Sequence, residues 1–344
     1  MESIQPHLAD IWLAIIGFFL LYYAVTDGFD LGVGIISIFS RNDAERGVLM
    51  ASIENTWHDH QTWLLLLGGM LFGAFPRFYS IVLSSLYIPI LVMLFGLIFR
   101  GVAFEFRALS HRKLLWGLSF GFGSLLVSLA QGFALGGLFG GLTVQQGKFE
   151  GGAWGWLSPY STLVAAGLIS GYVMLGANYL ILKTNGDVRK RSRRYSLAAS
   201  LCTLFVSVCV HAWTTAKYPR MAAKWLASPE GYFMAGFLAL TVIAFVMFFR
   251  SLRKGPDYGP LVWNALIILF SFVDVSIGMY PDMIPNFASA PMTVHEAAAS
   301  PGTLTFMLAA TVILLPVILA YTAYKNHVFR GKVRESDDGI ECKP

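Results

Sequence analysis

The chain has 344 residues, of which 56% are hydrophobic and only 13% charged, and its mean hydropathy is +0.62, far too apolar for the polar exterior that a soluble domain of this length needs. Charge occurs in short clusters between long apolar runs, so lipid is the expected solvent. The net charge of +5 could suggest nucleic acid, but the basic residues fall in juxtamembrane loops rather than on one soluble face, and nucleic acid is set aside as a partner.

Residues 1–10 contain Glu2 and Asp10 and no basic stretch, so the apolar run that follows reads as a retained first span rather than a cleaved signal. Stretches of bilayer length follow at 9–39, 55–75, 78–104, 114–140, 158–182, 196–216, 231–250, 259–280 and 303–326, predicting nine helices. Phe75-Pro76-Arg77 reads as a tight turn between the second and third. Among the basic residues only Arg77, Lys148, Lys217, Arg220 and Lys224 fall in even-numbered loops, so 20 of 25 lie on one side. The positive-inside rule makes that side cytoplasmic, with the N-terminus outside and the C-terminus inside. The expected fold is an all-α, polytopic membrane bundle forming one domain over 1–344. About 1–140 would make a first four-helix bundle, 158–326 the remaining five helices, and 327–344 a cytoplasmic tail.

Glycines four apart (Gly28 with Gly32, Gly69 with Gly73, Gly117 with Gly121, Gly136 with Gly140, Gly137 with Gly141) read as close helix packing. Cys202, Cys209 and Cys342 have neither metal-knuckle nor disulfide-framework spacing, and the first two read as small core residues.

Carboxylates in hydrocarbon are costly, so those placed there are the first functional suspects. Asp27 and Asp30 are three apart on one face of the first helix, in its cytoplasmic half. The second span starts at that depth with Glu54, Trp57, His58, Asp59, His60 and Gln61, and the third ends there with Arg100, Glu105 and Arg107. Two compatible readings apply: buried ion pairs, with Arg100 neutralising Asp27 or Asp30, and a proton path relaying from the cytoplasm. Haem or metal ligation by His58 or His60 is disfavoured, because residues two apart face different sides of a helix. Trp63, about two turns into the second span, is expected to pack in the interior or line a route between helices. Asp274 and His211 are weaker signals, and His295 and Glu296 are expected to cap or begin the last helix. There is no Walker loop, dinucleotide-binding glycine pattern, haem-attachment motif or nucleophile–base cluster, hence no self-contained catalyst.

The run Ala24-Val25-Thr26-Asp27-Gly28-Phe29-Asp30-Leu31-Gly32-Val33-Gly34 resembles the first-helix signature of subunit II of cytochrome bd quinol oxidases. Arg41-Asn42-Asp43 with Glu45-Arg46, the stretch from Trp57 to Trp63, Gly68-Gly69, Ala74-Phe75-Pro76 and Phe99-Arg100-Gly101-Val102-Ala103-Phe104-Glu105-Phe106-Arg107 are similar to the family's next two helices. A fainter similarity runs from Gly278-Met279-Tyr280-Pro281 to Pro285 and on to Thr322-Ala323.

The resemblance implies a quinol:oxygen oxidoreductase of the prokaryotic cytoplasmic (inner) membrane. In it a haem-bearing subunit I holds haems b and d and the quinol site, and this chain binds no haem or metal and has no catalytic residue of its own. Small accessory membrane subunits, and in some relatives a structural quinone in this subunit, belong to the same expectation. Carried over residue by residue, Asp27, Asp30, His58 or Asp59, and Glu105 form the proton side, Arg100 and Arg107 are their charge partners, and Trp63 lies near an oxygen route. Glu105 stands where some relatives have aspartate, which keeps a titratable group. A proton-coupled secondary transporter and a purely structural scaffold are the rival readings.

Overall fold

The structure is a computed structural model that describes residues 7–140, 142, 144–145, 148–217, 229–284, 292–336 and 339–342. Glu2, Gly141, Arg220, Lys224 and Pro285, named above, lie outside the described residues. The helices are α1 (Leu8–Ile38), α2 (Asp43–Ala51), α3 (Trp57–Ala74), α4 (Pro76–Ser85), α5 (Tyr87–Leu109), α6 (Lys113–Phe139), α7 (Pro159–Lys183), α8 (Gly186–Lys217), α9 (Pro229–Lys254), α10 (Gly259–Met279), α11 (Val294–Ala297) and α12 (Pro301–Val328). Three two-stranded antiparallel ribbons decorate the loops: β1 (Val144–Gln145) with β2 (Lys148–Phe149), β3 (Asp282–Ile284) with β4 (Met292–Thr293), and β5 (Val333–Ser336) with β6 (Gly339–Cys342).

Eight of these helices, α1, α5 to α10 and α12, are long and apolar enough to cross a membrane. The second predicted span, α3, falls short on hydropathy because its first turns read Trp57-His58-Asp59-His60-Gln61. It nevertheless runs antiparallel to α1 through the same depth: His60 meets Asp30 at one end, and Ala74 joins Leu8, Ala9 and Trp12 in an apolar cluster at the other. Eighteen residues rise about 27 Å, close to the thickness of a hydrocarbon core.

The third predicted span needs correction. Residues 78–85 are not its beginning but most of a separate short helix, α4, and the span proper is α5. Pro89 accounts for the break, since it has no N–H for the Ser85 carbonyl and its ring clashes with that carbonyl. The Ser85 hydroxyl turns back to the Ile81 carbonyl instead, at 2.7 Å. His295 and Glu296 likewise belong to the separate α11, closed by a capping box with Thr293, while α12 starts at Pro301 with Ser300 as its cap. Cys202 is exposed on α8 and Cys209 part-buried, so neither is the core residue expected.

Helix α1 is the hub, packed on by α3, α6 and α7, with α5 paired to α6, α8 to α7 and α10 to α9. Its approach to α7 is backbone to backbone. A Cβ on Gly32 would lie 1.8 Å from the Tyr172 carbonyl oxygen, and one on Gly176 would lie 2.4 Å from Val33 N. A Cβ on Gly69, by contrast, would meet nothing within 4 Å among the described residues, so its predicted packing role does not hold among them.

The loops that carry most of the basic residues gather at one end of the bundle. There Arg191 pairs with Glu45, Arg107 with Asp43 at 2.9 Å, and Asp257 accepts from Arg189 and, at 3.0 Å, from Lys332 of the tail. Asp257 lies between α9 and α10. Partial burial alone pushes its carboxyl up, but Lys332, Arg189 and Arg193 together hold it below the usual carboxylate range. The opposite end is closed by an apolar cluster of Leu8, Trp12, Ile16, Ala74, Phe75, Leu86, Trp156 and Leu304.

Candidate functional site

The site is built toward the basic end of α1. Spacing of three puts Asp27 and Asp30 on one face of that helix, and both are wholly buried. Helix α5 brings Arg100, also wholly buried, between them: its Nη2 donates to Asp27 Oδ1 at 2.5 Å and reaches Asp30 Oδ2 at 3.4 Å. Helix α3 brings His60, 2% exposed, whose Nδ1 lies 2.7 Å from the same Asp30 oxygen. Phe29 packs at right angles against the His60 ring and stacks on Tyr179, sealing this side.

Formal charge is unbalanced among these four side chains. Two carboxylates face one guanidinium, and only His60 can supply a second positive charge. Breaking such a buried set by removing one partner costs about 3–5 kcal/mol, because the charge left behind cannot be solvated. Among the described residues, Asp30 Oδ1 and Arg100 Nε and Nη1 have no hydrogen-bond partner, so the cluster retains capacity for further donors and acceptors.

The remaining predicted site residues lie elsewhere. His58 is exposed, its ring against Trp57, and Asp59 is part-buried and paired with Lys325 of α12 at 2.5 Å. Glu105 is exposed on α5. Arg107 serves the loops, pairing with Asp43 and donating to the Lys113 carbonyl. The structure thus brings together Asp27, Asp30 and Arg100 but not His58, Asp59, Glu105 or Arg107, and the imidazole at the cluster is His60. Trp63 is buried among Phe18, Phe19 and Tyr22, as expected of an interior residue. The two imidazoles do not converge: His60 Nδ1 faces Asp30, whereas the exposed His58 ring lies against Trp57.

Reading by charge alone misses three neutral residues. Tyr23 stands beside Asp27. The Gln131 side chain on α6 donates to the Tyr23 hydroxyl at 2.6 Å, and Tyr172 on α7 donates to Gln131 at 2.7 Å. Gln131 within the apolar run of α6 was the available signal.

Fold and site together define a multi-pass membrane protein that concentrates unbalanced buried charge at the depth of its basic end. The family model described as Cytochrome bd terminal oxidase subunit II matches residues 8–329. The chain is 28% identical over 361 residues to "Cytochrome bd-I ubiquinol oxidase subunit 2" of Escherichia coli (strain K12), covering 95% of each. It is 28% identical over 337 residues to "Cytochrome bd ubiquinol oxidase subunit 2" of Bacillus subtilis (strain 168), covering 96% of this chain and 98% of the other. In structure it matches a chain of the bd oxidase from Geobacillus thermodenitrificans with a TM-score of 0.76 and 16% identity, covering 92% and 97% of the two chains.

The chain belongs to the cytochrome bd oxidase subunit II family. It is therefore a multi-pass protein of the inner membrane, and its family implies membership of a quinol oxidase complex with a subunit I as partner.

Proposed function

We propose that this chain is the haem-free subunit II of a bd-type quinol:oxygen oxidoreductase and that its buried acid cluster takes up cytoplasmic protons for the partner's oxygen-reducing site. The observation that carries the reading is the wholly buried Asp30 with His60 at 2.7 Å, in a cluster holding one more carboxylate than fixed cation. Such a group changes protonation when a charge arrives nearby, because the low-dielectric surroundings magnify every neighbouring charge. His60 and Asp30 share one hydrogen bond along which the proton can move, while Arg100 keeps the pair from carrying two uncompensated negative charges. When bound in the partner, the haems would supply the electron and oxygen chemistry.

The gathered basic loops support a cytoplasmic position for this end and an N-terminus outside. Asp59 with Lys325, His58 and Glu105 lie nearer the rim and would deliver protons to the buried pair. Trp63 would wall the apolar side toward an oxygen route. Protons drawn from the cytoplasm while quinol releases its own outside would contribute to a proton motive force without a pump.

The test replaces Asp27, Asp30 and His60 singly by Asn, Asn and Gln, with assembly followed by the haem absorption of the purified complex and turnover expressed per haem. The relay reading expects assembled oxidase with turnover down by at least about 100-fold for Asp30→Asn, the scale of a lost proton-transfer group. Full turnover in all three variants would sink it. The Asp27–Arg100 contact at 2.5 Å favours a second, scaffold reading, which expects loss of the complex itself.

A further inference from the structure

Arg100 occupies only one oxygen of Asp27, and among the described residues Oδ2 of this wholly buried carboxylate has no partner in strict hydrogen-bond geometry. Beside it stands Tyr23, one turn earlier on the same face of α1. We propose that Tyr172, Gln131 and Tyr23 form a one-way series of hydrogen-bond donors ending on Asp27 Oδ2, which makes Gln131 a positioning residue of the acid cluster. The inference rests on the relay reading above.

The direction of the series follows from the chemistry of its members. Ionised Asp27 can only accept, so the Tyr23 proton must point toward it, and the Tyr23 oxygen must then accept from its other neighbour. That neighbour is Gln131 Nε2, at 2.6 Å. The assignment of the amide is supported by Met93, whose thioether sulfur, a weak acceptor, lies 3.8 Å from the same Nε2. Gln131 Oε1 is then the acceptor for the Tyr172 hydroxyl, at 2.7 Å. Turning the amide over would send the Tyr23 proton to Gln131 and leave Asp27 Oδ2 with Arg100's spare donors alone. Each donor polarises the next, so the last bond to the carboxylate is the strongest.

The glycines of α1 make this arrangement possible. A Cβ on Gly28 would sit 2.8 Å from the Tyr172 ring, so only glycine lets that ring lie against α1 beside Asp27. The groups facing Asp27 are therefore Arg100 from α5, Tyr172 from α7, and Tyr23 and Asp30 from its own helix, with His60 of α3 beyond Asp30. An amide takes up a proton on oxygen and releases one from nitrogen only by passing through its imidic acid form. The series therefore ends the proton path instead of lengthening it, and fixes the carboxylate at which the path turns.

The test uses the purified complex with Tyr23→Phe, Gln131→Met and Tyr172→Phe, singly and in the Tyr23→Phe background, beside Asp27→Asn. The readouts are the pH profile of turnover per haem and the quinol KM. Tyr23→Phe should lower kcat about tenfold, the loss of one charge-assisted hydrogen bond, with KM unchanged and the pH profile displaced. Gln131→Met and Tyr172→Phe should displace the profile in the same direction by successively smaller amounts, and should add nothing once Tyr23 is Phe. Tyr172→Phe removes a single hydroxyl at the far end of the series and provides a readout should the other two fail to assemble. Additive displacements, or three profiles superimposable on wild type while Asp27→Asn moves its own, overturn the inference and leave the relay standing. An unmoved profile in Asp27→Asn also overturns the inference, and the relay falls only if Asp30→Asn and the His60 variant keep full turnover as well.

Discussion

Two ion-pair clusters in this molecule solve opposite charge problems. At Asp257 a single carboxylate in a loop is surrounded by Arg189, Arg193 and Lys332, an excess of cations held at a water-facing surface. At Asp27, Asp30, Arg100 and His60 the excess is acidic and sealed inside the bundle. Water and salt can correct the imbalance at the surface, so that cluster ties loops and tail together at little cost. Inside the membrane only a proton can correct it, which is why the buried cluster, and not the more crowded one, is the functional candidate.

The largest expected effect separates the two directly. Arg100→Gln strands two buried carboxylates and should destabilise the subunit by about 3–5 kcal/mol, read as loss of assembled complex or a lowered thermal midpoint in detergent. Asp30→Asn in the same background should restore part of that loss, since it removes one of the stranded charges.

The next effect probes the packing that makes burial possible. Gly32→Ala pushes a methyl group into the α1–α7 contact and should cost about 1–3 kcal/mol in the same assay, whereas Gly69→Ala, which meets nothing among the described residues, should leave the thermal midpoint where it was.

The smallest effect belongs to the surface cluster. Asp257→Asn should change stability by no more than about 1 kcal/mol, and by less in high salt. Its cations hold the folded Asp257 carboxyl below the usual range, so its contribution is complete above the ordinary carboxylate value and is lost as pH falls through the lowered one. Limited proteolysis at Arg330 and Lys332 at neutral pH should accordingly be up to about fivefold faster in Asp257→Asn than in the wild type.

Much of this was legible in the residues themselves. A pair of aspartates three apart inside an apolar run, and an arginine whose span ends at the same depth, put Asp27, Asp30 and Arg100 together by spacing alone. Which face of α3 turns inward could not be read that way. His58 and His60 are about 200° apart around the helix, and the choice between them is made by the packing of α3 on α1, which charge patterning does not record. Glu105 stands apart from the buried cluster for a related reason: five residues beyond Arg100, it lies about 140° away around α5, on the exposed face. Tyr23, Gln131 and Tyr172 bear no formal charge and come from three helices, so only their meeting reveals them. The break before α5 depended on a local rule, Pro89 opposing the Ser85 carbonyl, that span-counting by hydropathy overrides.

The most direct measurement is proton uptake in a single turnover of the reduced complex reconstituted in vesicles, followed with a pH indicator on the side of the basic loops. The account predicts that Asp30→Asn, with its haem spectrum intact, slows that uptake by at least about 100-fold relative to wild type. Uptake at the wild-type rate from that side in the fully assembled variant would contradict it.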